Sequence, residues 1–237
     1  MKPKSDNLFH FTKTLDVLKS ILKNGVYPKY CLEDFEWADM DIRSIAYPMC
    51  CFCDIPLSRI EEHTDFYGNY GIGLSKDWAL RNKLEPVIYA TQNGSVQKLT
   101  KYLFGAGEKN ENPSKELSDV FYRCVSMVKP ITGKIVIKRS ILEKDFYQEN
   151  EWRFVPPVDT ILFEEELENQ KDSANQAIEK YKLEIAPNDI RYIFVKSDND
   201  IPSLADFITT DMGNYPHNDL KILQTRIVSL TTLKADL

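Results

Sequence analysis

A chain of 237 residues with 43% hydrophobic positions can bury one large core, and 28% charged with 11% aromatic residues describes a folded rather than a disordered protein. The formal net charge of -6 excludes a global cationic surface, so contact with nucleic acid would need a local basic groove. No apolar run reaches the roughly 20 residues that cross a bilayer, and no apolar stretch follows "MKPK" as in a secretory signal. The expectation is a reduced cytoplasmic protein without a membrane partner. The five cysteines agree with it, being odd in number, with Cys50, Cys51 and Cys53 crowded into one run.

The segment "LFHFT" reads as a short strand, and "TLDVLKSILKNG" as a helix with Leu15, Leu18, Ile21 and Leu22 on one stripe and Gly25 at its end. "YPKYCLEDFEWADMDIRSIAYP" is acidic, aromatic and irregular, with Pro48 releasing the chain into the buried strand "MCCFCDI". A short helix in "PLSRIEEHTDF", a turn and strand in "YGNYGIGLS" and a helix capped by Ser75 follow. "PVIYA" is a further strand. Helical spacing returns in "SVQKLTKYLFGAG" and in "SKELSDVFYRCVSMV", where Leu117, Val120, Phe121, Cys124 and Val128 fall on one face; residues 105–113 between them read as a loop and a mobile cover. Later come strands in "GKIVIK", "NEWRFVP", "TILF", "KLEI", "RYIFVK", "LKILQT" and "RIVSL", with the charged "EEELENQKDSANQAIEKY" as a surface helix or loop. Helices early and strands late predict the α+β class, in a single domain over 1–237.

Among the residues that could do chemistry, His10 lies between two phenylalanines with Thr12 on its own face. It is either a hydrogen-bonded core histidine or a ligand-orienting group on a strand floor. Cys50 and Cys53 have C-x-x-C spacing with His63 nearby, but on a strand they face opposite ways, so no metal is expected. The glycines at 71 and 73 lack the third glycine of a dinucleotide loop, and Tyr67 and Tyr70 beside them could stack on a flat ring. In "FYQENEWRFVPP", Glu149, Glu151 and Arg153 recur at a spacing of two, which in a strand puts them on one face. Paired carboxylates raise each other's proton affinity, so one can act as base or acceptor while the other positions. The alternative is a solvent-facing ladder of cross-neutralised charges, with Trp152 and Phe154 turned into the core.

Taken together, "LFHFTKTLDVLKSILKNGVYPKYC", "PMCCFCDIPLSRIEEHTDFYGNYGIGLSKDWALRNKLEPVIYA" and "ENEWRF" resemble the AbiGi-type family of abortive phage-infection proteins, usually described as the antitoxin of a two-gene system. That resemblance implies a defence role and a partner protein. More distantly the layout is similar to ADP-ribosyltransferase-like folds, implying a mostly antiparallel split sheet with flanking helices that binds NAD as a consumed substrate. The resemblance would make His10 and Glu151 catalytic. Thr12, Tyr67 or Tyr70, Glu149 and Arg153 would contact substrate, and the acceptor would be nucleic acid or protein. Glu151 would then stabilise an oxocarbenium-like ribose, as carboxylates do in glycoside hydrolysis.

Overall fold

The computed structural model describes residues 5–109, 115–137, 140–158 and 161–236. In chain order the strands are β1 (Asn7–Thr12), β2 (Lys29–Asp34), β3 (Ser44–Cys53), β4 (Tyr70–Ser75), β5 (Glu85–Pro86), β6 (Ile88–Ala90), β7 (Val128–Pro130), β8 (Thr132–Ile137), β9 (Ser140–Asp145), β10 (Glu151–Phe154), β11 (Leu162–Phe163), β12 (Ile190–Val195) and β13 (Ile227–Ser229). The helices are α1 (Leu15–Asn24), α2 (Ile60–Tyr67), α3 (Lys76–Arg81), α4 (Ser95–Lys109), α5 (Lys115–Ser126), α6 (Glu164–Ala177), α7 (Ile201–Asp211), α8 (His217–Gln224) and α9 (Leu230–Lys234). The protein is mixed α+β with mostly antiparallel pairing, and it divides into two compact units. The first contains Met1–Val26, Cys51–Leu84 and Lys182–Leu237; the second contains Tyr27–Cys50 and Glu85–Tyr181. Strand β3 passes from one to the other at Cys50 and Cys51.

In the first unit β4 pairs antiparallel with both β1 and β12, and β13 closes the edge in parallel with β12. Alternation along β1 buries Phe9 and Phe11 against Cys53, Ile55, Ile60, Phe194 and Leu230. The glycines of β4 make this packing possible: the rings of Phe9 and Phe11 lie where a Cβ on Gly73 or Gly71 would sit. Helix α1 is capped by Thr14, whose Oγ1 accepts the Val17 N–H at 3.3 Å, and the expected cap Ser75 holds α3 by the same kind of bond to Trp78. "LKILQT" forms the end of α8 rather than a strand, because Leu220 and Leu223, three apart, are the buried pair while Ile222 is exposed. "KLEI" contributes only an isolated bridge, Leu183 to Val26.

In the second unit β3 pairs antiparallel with β2 and β11, β10 with β5, and β8 with β9, while β6 and β7 run parallel. The stretch expected to be irregular therefore holds β2 and the first half of β3. Pro48 lies inside β3 opposite Tyr30, and the Tyr30 N–H donates to the buried Asn175 Oδ1 of α6 at 2.8 Å. In α5 Val125 is buried, whereas Val120 and Cys124 are exposed, so its inward face differs from the expected one; Leu117 lies outside the residues whose side chains are described. Helix α4 continues to Lys109 through the first part of the expected loop, and 110–114 lie outside the described residues.

Candidate functional site

The residues singled out from sequence fall into two groups, one in each unit. His10, Thr12, Tyr67 and Tyr70 belong to the first. His10 pairs with Ile72 and Thr12 with Tyr70 across β1 and β4, and directly opposed residues share a face. His10, Thr12 and Tyr70 thus lie on the side of the sheet opposite Phe9 and Phe11. Tyr67, at the end of α2, packs on the Phe9–Phe11 cluster with its ring 4.5 Å from His63, so of the two tyrosines only Tyr70 shares the histidine's face. Gly68 between them has φ of 119°, and a Cβ there would strike the Thr12 carbonyl, which makes glycine obligatory at this turn.

The His10 ring lies against Phe52, and its Nδ1 is 2.8 Å from the Cys51 carbonyl oxygen. A carbonyl only accepts, so Nδ1 carries the proton and Nε2 is the acceptor nitrogen of a neutral ring. Burial pulls the His10 pKa below its ordinary value, with the bond to Cys51 opposing. Tyr70 Oη donates to Asp200 Oδ2 at 3.4 Å, and burial followed by that carboxylate raises its pKa.

Glu149, Glu151 and Arg153 belong to the second unit and are buried, at 4%, 5% and 1% exposure, which overturns the solvent-facing ladder. The shared strand face also needs correction. Glu149 ends a short 3-10 helix, Asn150 turns the chain at φ of 42°, and β10 starts only at Glu151. What brings the two carboxylates together is Lys129 of β7, whose Nζ donates to Glu149 Oε2 at 2.9 Å and to Glu151 Oε2. Arg153 distributes its donors over Glu151 Oε1 at 2.5 Å, Glu33 Oε2 at 2.7 Å and the Ser126 carbonyl at 2.6 Å. Lys144 of β9 reaches Glu149 Oε1 at 2.5 Å. The Glu151 N–H donates to Tyr89 Oη at 2.9 Å, and the Lys129 ammonium stands 4.5 Å from the Phe146 ring centroid.

Three carboxylates, Glu33, Glu149 and Glu151, thus face three cations, Lys129, Lys144 and Arg153, and the cluster is neutral. Its directions follow from that. Burial alone would raise Glu151, but Arg153 and Lys129 outweigh it and hold the carboxyl well below the usual range. For Glu149, burial is likewise overcome by Lys129 and Lys144, leaving its pKa lowered. Burial would lower Lys129, yet Glu151, Glu33 and Glu149 raise it; at Lys144 burial prevails over Glu149 and the pKa falls. Tyr89 is pushed up to about 12, chiefly by burial. Sequence reasoning found Arg153 and missed Lys129, Lys144 and Glu33. For Lys129 a signal existed: one lysine inside the apolar "VSMVKPI", which a strand can bury only against a carboxylate. Among the described residues no three His, Cys, Asp or Glu side chains group to hold a metal.

The model of a family of abortive phage resistance proteins matches residues 24–196, well over half of the chain, and contains the whole buried charge cluster. The chain belongs to that family, AbiGi, whose description carries the word antitoxin. It is 25% identical over 244 residues to the abortive phage resistance protein AbiGi of Lactococcus lactis subsp. cremoris, an alignment covering 88% of this chain and 98% of that relative. No solved structure matches. His10 and Thr12 precede the matched stretch.

Proposed function

We propose that this protein is a non-catalytic antitoxin of a two-gene abortive phage resistance system, acting through a partner rather than through chemistry of its own. One observation carries the reading: both oxygens of Glu151 are committed inside the protein, Oε1 to Arg153 and Oε2 to Lys129. A carboxylate that stabilises a developing oxocarbenium has to face the sugar with an oxygen free for it. Here ligand access would first require breaking a buried charge pair, which costs several kcal/mol. At His10 one of the two ring nitrogens, Nδ1, is committed to the Cys51 carbonyl. The family's description as an antitoxin supports a partner in the same direction.

The competing reading is an NAD-consuming ADP-ribosyltransferase with His10 and Glu151 catalytic and protein or nucleic acid as acceptor. It rests on the distant resemblance of the sequence pattern. The experiment that separates the two is NAD titration with a nicotinamide-release assay on the purified protein, alone and together with the companion gene product. The expected result is no turnover in either case and a stable association with the companion. Nicotinamide release that disappears in a folded Glu151→Gln variant would overturn the proposal.

A further inference from the structure

The second unit contains a cavity of about 820 Å³, formed within that unit alone. Its walls come from the end of β2 and the short helix after it, from the chain between β6 and the start of α4, and from β7, β8 and β9. This volume lies in the range of clefts that hold a ligand or several inserted side chains. The wall is built rather than accidental. The Gln97 side chain is 6% exposed and ties two of its segments together, donating to the Trp37 carbonyl at 2.5 Å and accepting the Asn93 N–H at 2.6 Å.

The lining has a definite chemistry. Trp37 supplies an indole, Gln92 and Asn93 supply amides, and five carboxylates come from two segments, Asp34, Glu36 and Asp39 from the end of β2 and the turn after it, Glu143 and Asp145 from β9. Asp34 already accepts the Glu36 N–H, and Asp145 those of Tyr147 and the Gln148 amide. Lys144 is the one basic residue of the described lining, and its ammonium is engaged with the buried Glu149. Among the described residues, Asp39 pairs with Lys101 and Glu36 with Arg43 at 4.0 Å, both through largely exposed side chains that water screens. An aromatic wall, several acceptors and uncompensated negative charge together select guanidinium or ammonium groups. An anionic dinucleotide or a nucleic-acid backbone meets repulsion there instead.

We infer that this cleft is the docking site for an arginine- or lysine-rich segment of a protein partner. This rests on the partner-binding reading and adds the site and the chemistry of the occupant. Trp37 takes the cation over its face, and Asp34 of β2 and Glu143 of β9 accept its N–H groups. Charge complementarity of this kind fixes register and speeds encounter.

The test uses a short labelled polyarginine peptide, polyglutamate and spermidine, measured against the full chain by fluorescence polarisation at about 0.15 M salt. Because an acidic protein attracts polyarginine anywhere, the decisive comparison is between two sets of variants. Asp34→Asn with Glu143→Gln should weaken the peptide about tenfold or more, and Trp37→Ala should weaken it comparably. Neutralising the exposed run Glu164, Glu165 and Glu168 of α6 to Gln should change binding less than about twofold. Equal losses in both sets, binding to polyglutamate as tight as to polyarginine, or no binding at this salt would each overturn the assignment. Spermidine binding as tightly as the peptide would overturn its assignment to a protein segment. A companion protein that binds the wild type and the cleft variants equally would refute the cleft while leaving the partner reading intact; no association with the wild type at all would refute that reading instead.

Discussion

The two units are held together by different physics. The first packs aromatic rings on one face of its sheet, Phe9 and Phe11 against Phe194 at 5.6 Å each, with Tyr192 stacked on Phe194 at 5.7 Å. Its inward polar groups are met by separate, small contacts, among them the His10 imidazole on the Cys51 carbonyl, the Trp78 indole N–H on the Glu184 carbonyl and Lys76 on Asp54. The second has an apolar cluster around Tyr30, Ala46, Leu162, Leu167 and Ile178 and also buries a six-membered ion cluster. Apolar burial is non-directional and tolerates repacking, whereas buried charges stabilise only while every partner is in place. The comparison teaches that paired glutamates in a sequence can mark structural specificity as readily as catalysis, and that the deciding residue, here Lys129, can be twenty positions away.

The difference can be broken most forcefully at Arg153. Arg153→Leu leaves Glu151 and Glu33 without their guanidinium and the Ser126 carbonyl without its donor, and should cost about 3–5 kcal/mol. Chemical denaturation gives the size, and native-state hydrogen exchange should place the loss in amides of the second unit. Replacing Lys129 by Met, alone and with Glu151→Gln, should give a coupling energy of about 0.5–3 kcal/mol in a double-mutant cycle. Additive losses would mean that the two groups do not act as a pair. In the first unit His10→Ala deprives the Cys51 carbonyl of its partner and should cost about 1–3 kcal/mol. Smaller again is Ser75→Ala, which removes the α3 cap at a cost of about 1 kcal/mol.

Legibility in the sequence followed the range of the forces involved. Strand β1, helix α1, strand β4 and the Ser75 cap are governed by neighbours a few residues away, and period and cap residues reveal them. Strand β2 reads as irregular because "KYCLED" alternates weakly and takes its pairing from β3, a non-local partner. At the candidate site, the two-residue spacing of Glu151 and Arg153 correctly anticipates their contact. The lone lysine in "VSMVKPI" marks Lys129 as paired without saying with what, and its partners, the position of Glu149 off the strand and the approach of Lys144 from β9 depend on tertiary contacts that no local pattern encodes.

The gentlest way to sharpen the comparison uses pH and no mutation. In the folded chain His10 titrates below its ordinary 6.5, so on mild acidification the unfolded chain binds more protons and stability falls. The contribution of His10 is fully present above about 6.5 and is lost progressively as pH drops toward the folded value. Glu149 and Glu151 are lowered from an ordinary 4.5, so their contribution is intact down to about that pH and is lost only in stronger acid. Lys129 is raised above 10.5, and its share persists until alkali passes that value. Between neutral pH and about 5, protection should therefore decline in amides of the first unit and hold in those of the second, and His10→Gln should remove the decline. Hydrogen exchange corrected for the intrinsic pH dependence of the exchange rate measures this directly. A parallel decline in both units, or one that survives His10→Gln, would show that the imidazole on Cys51 is not what makes the first unit sensitive to mild acid.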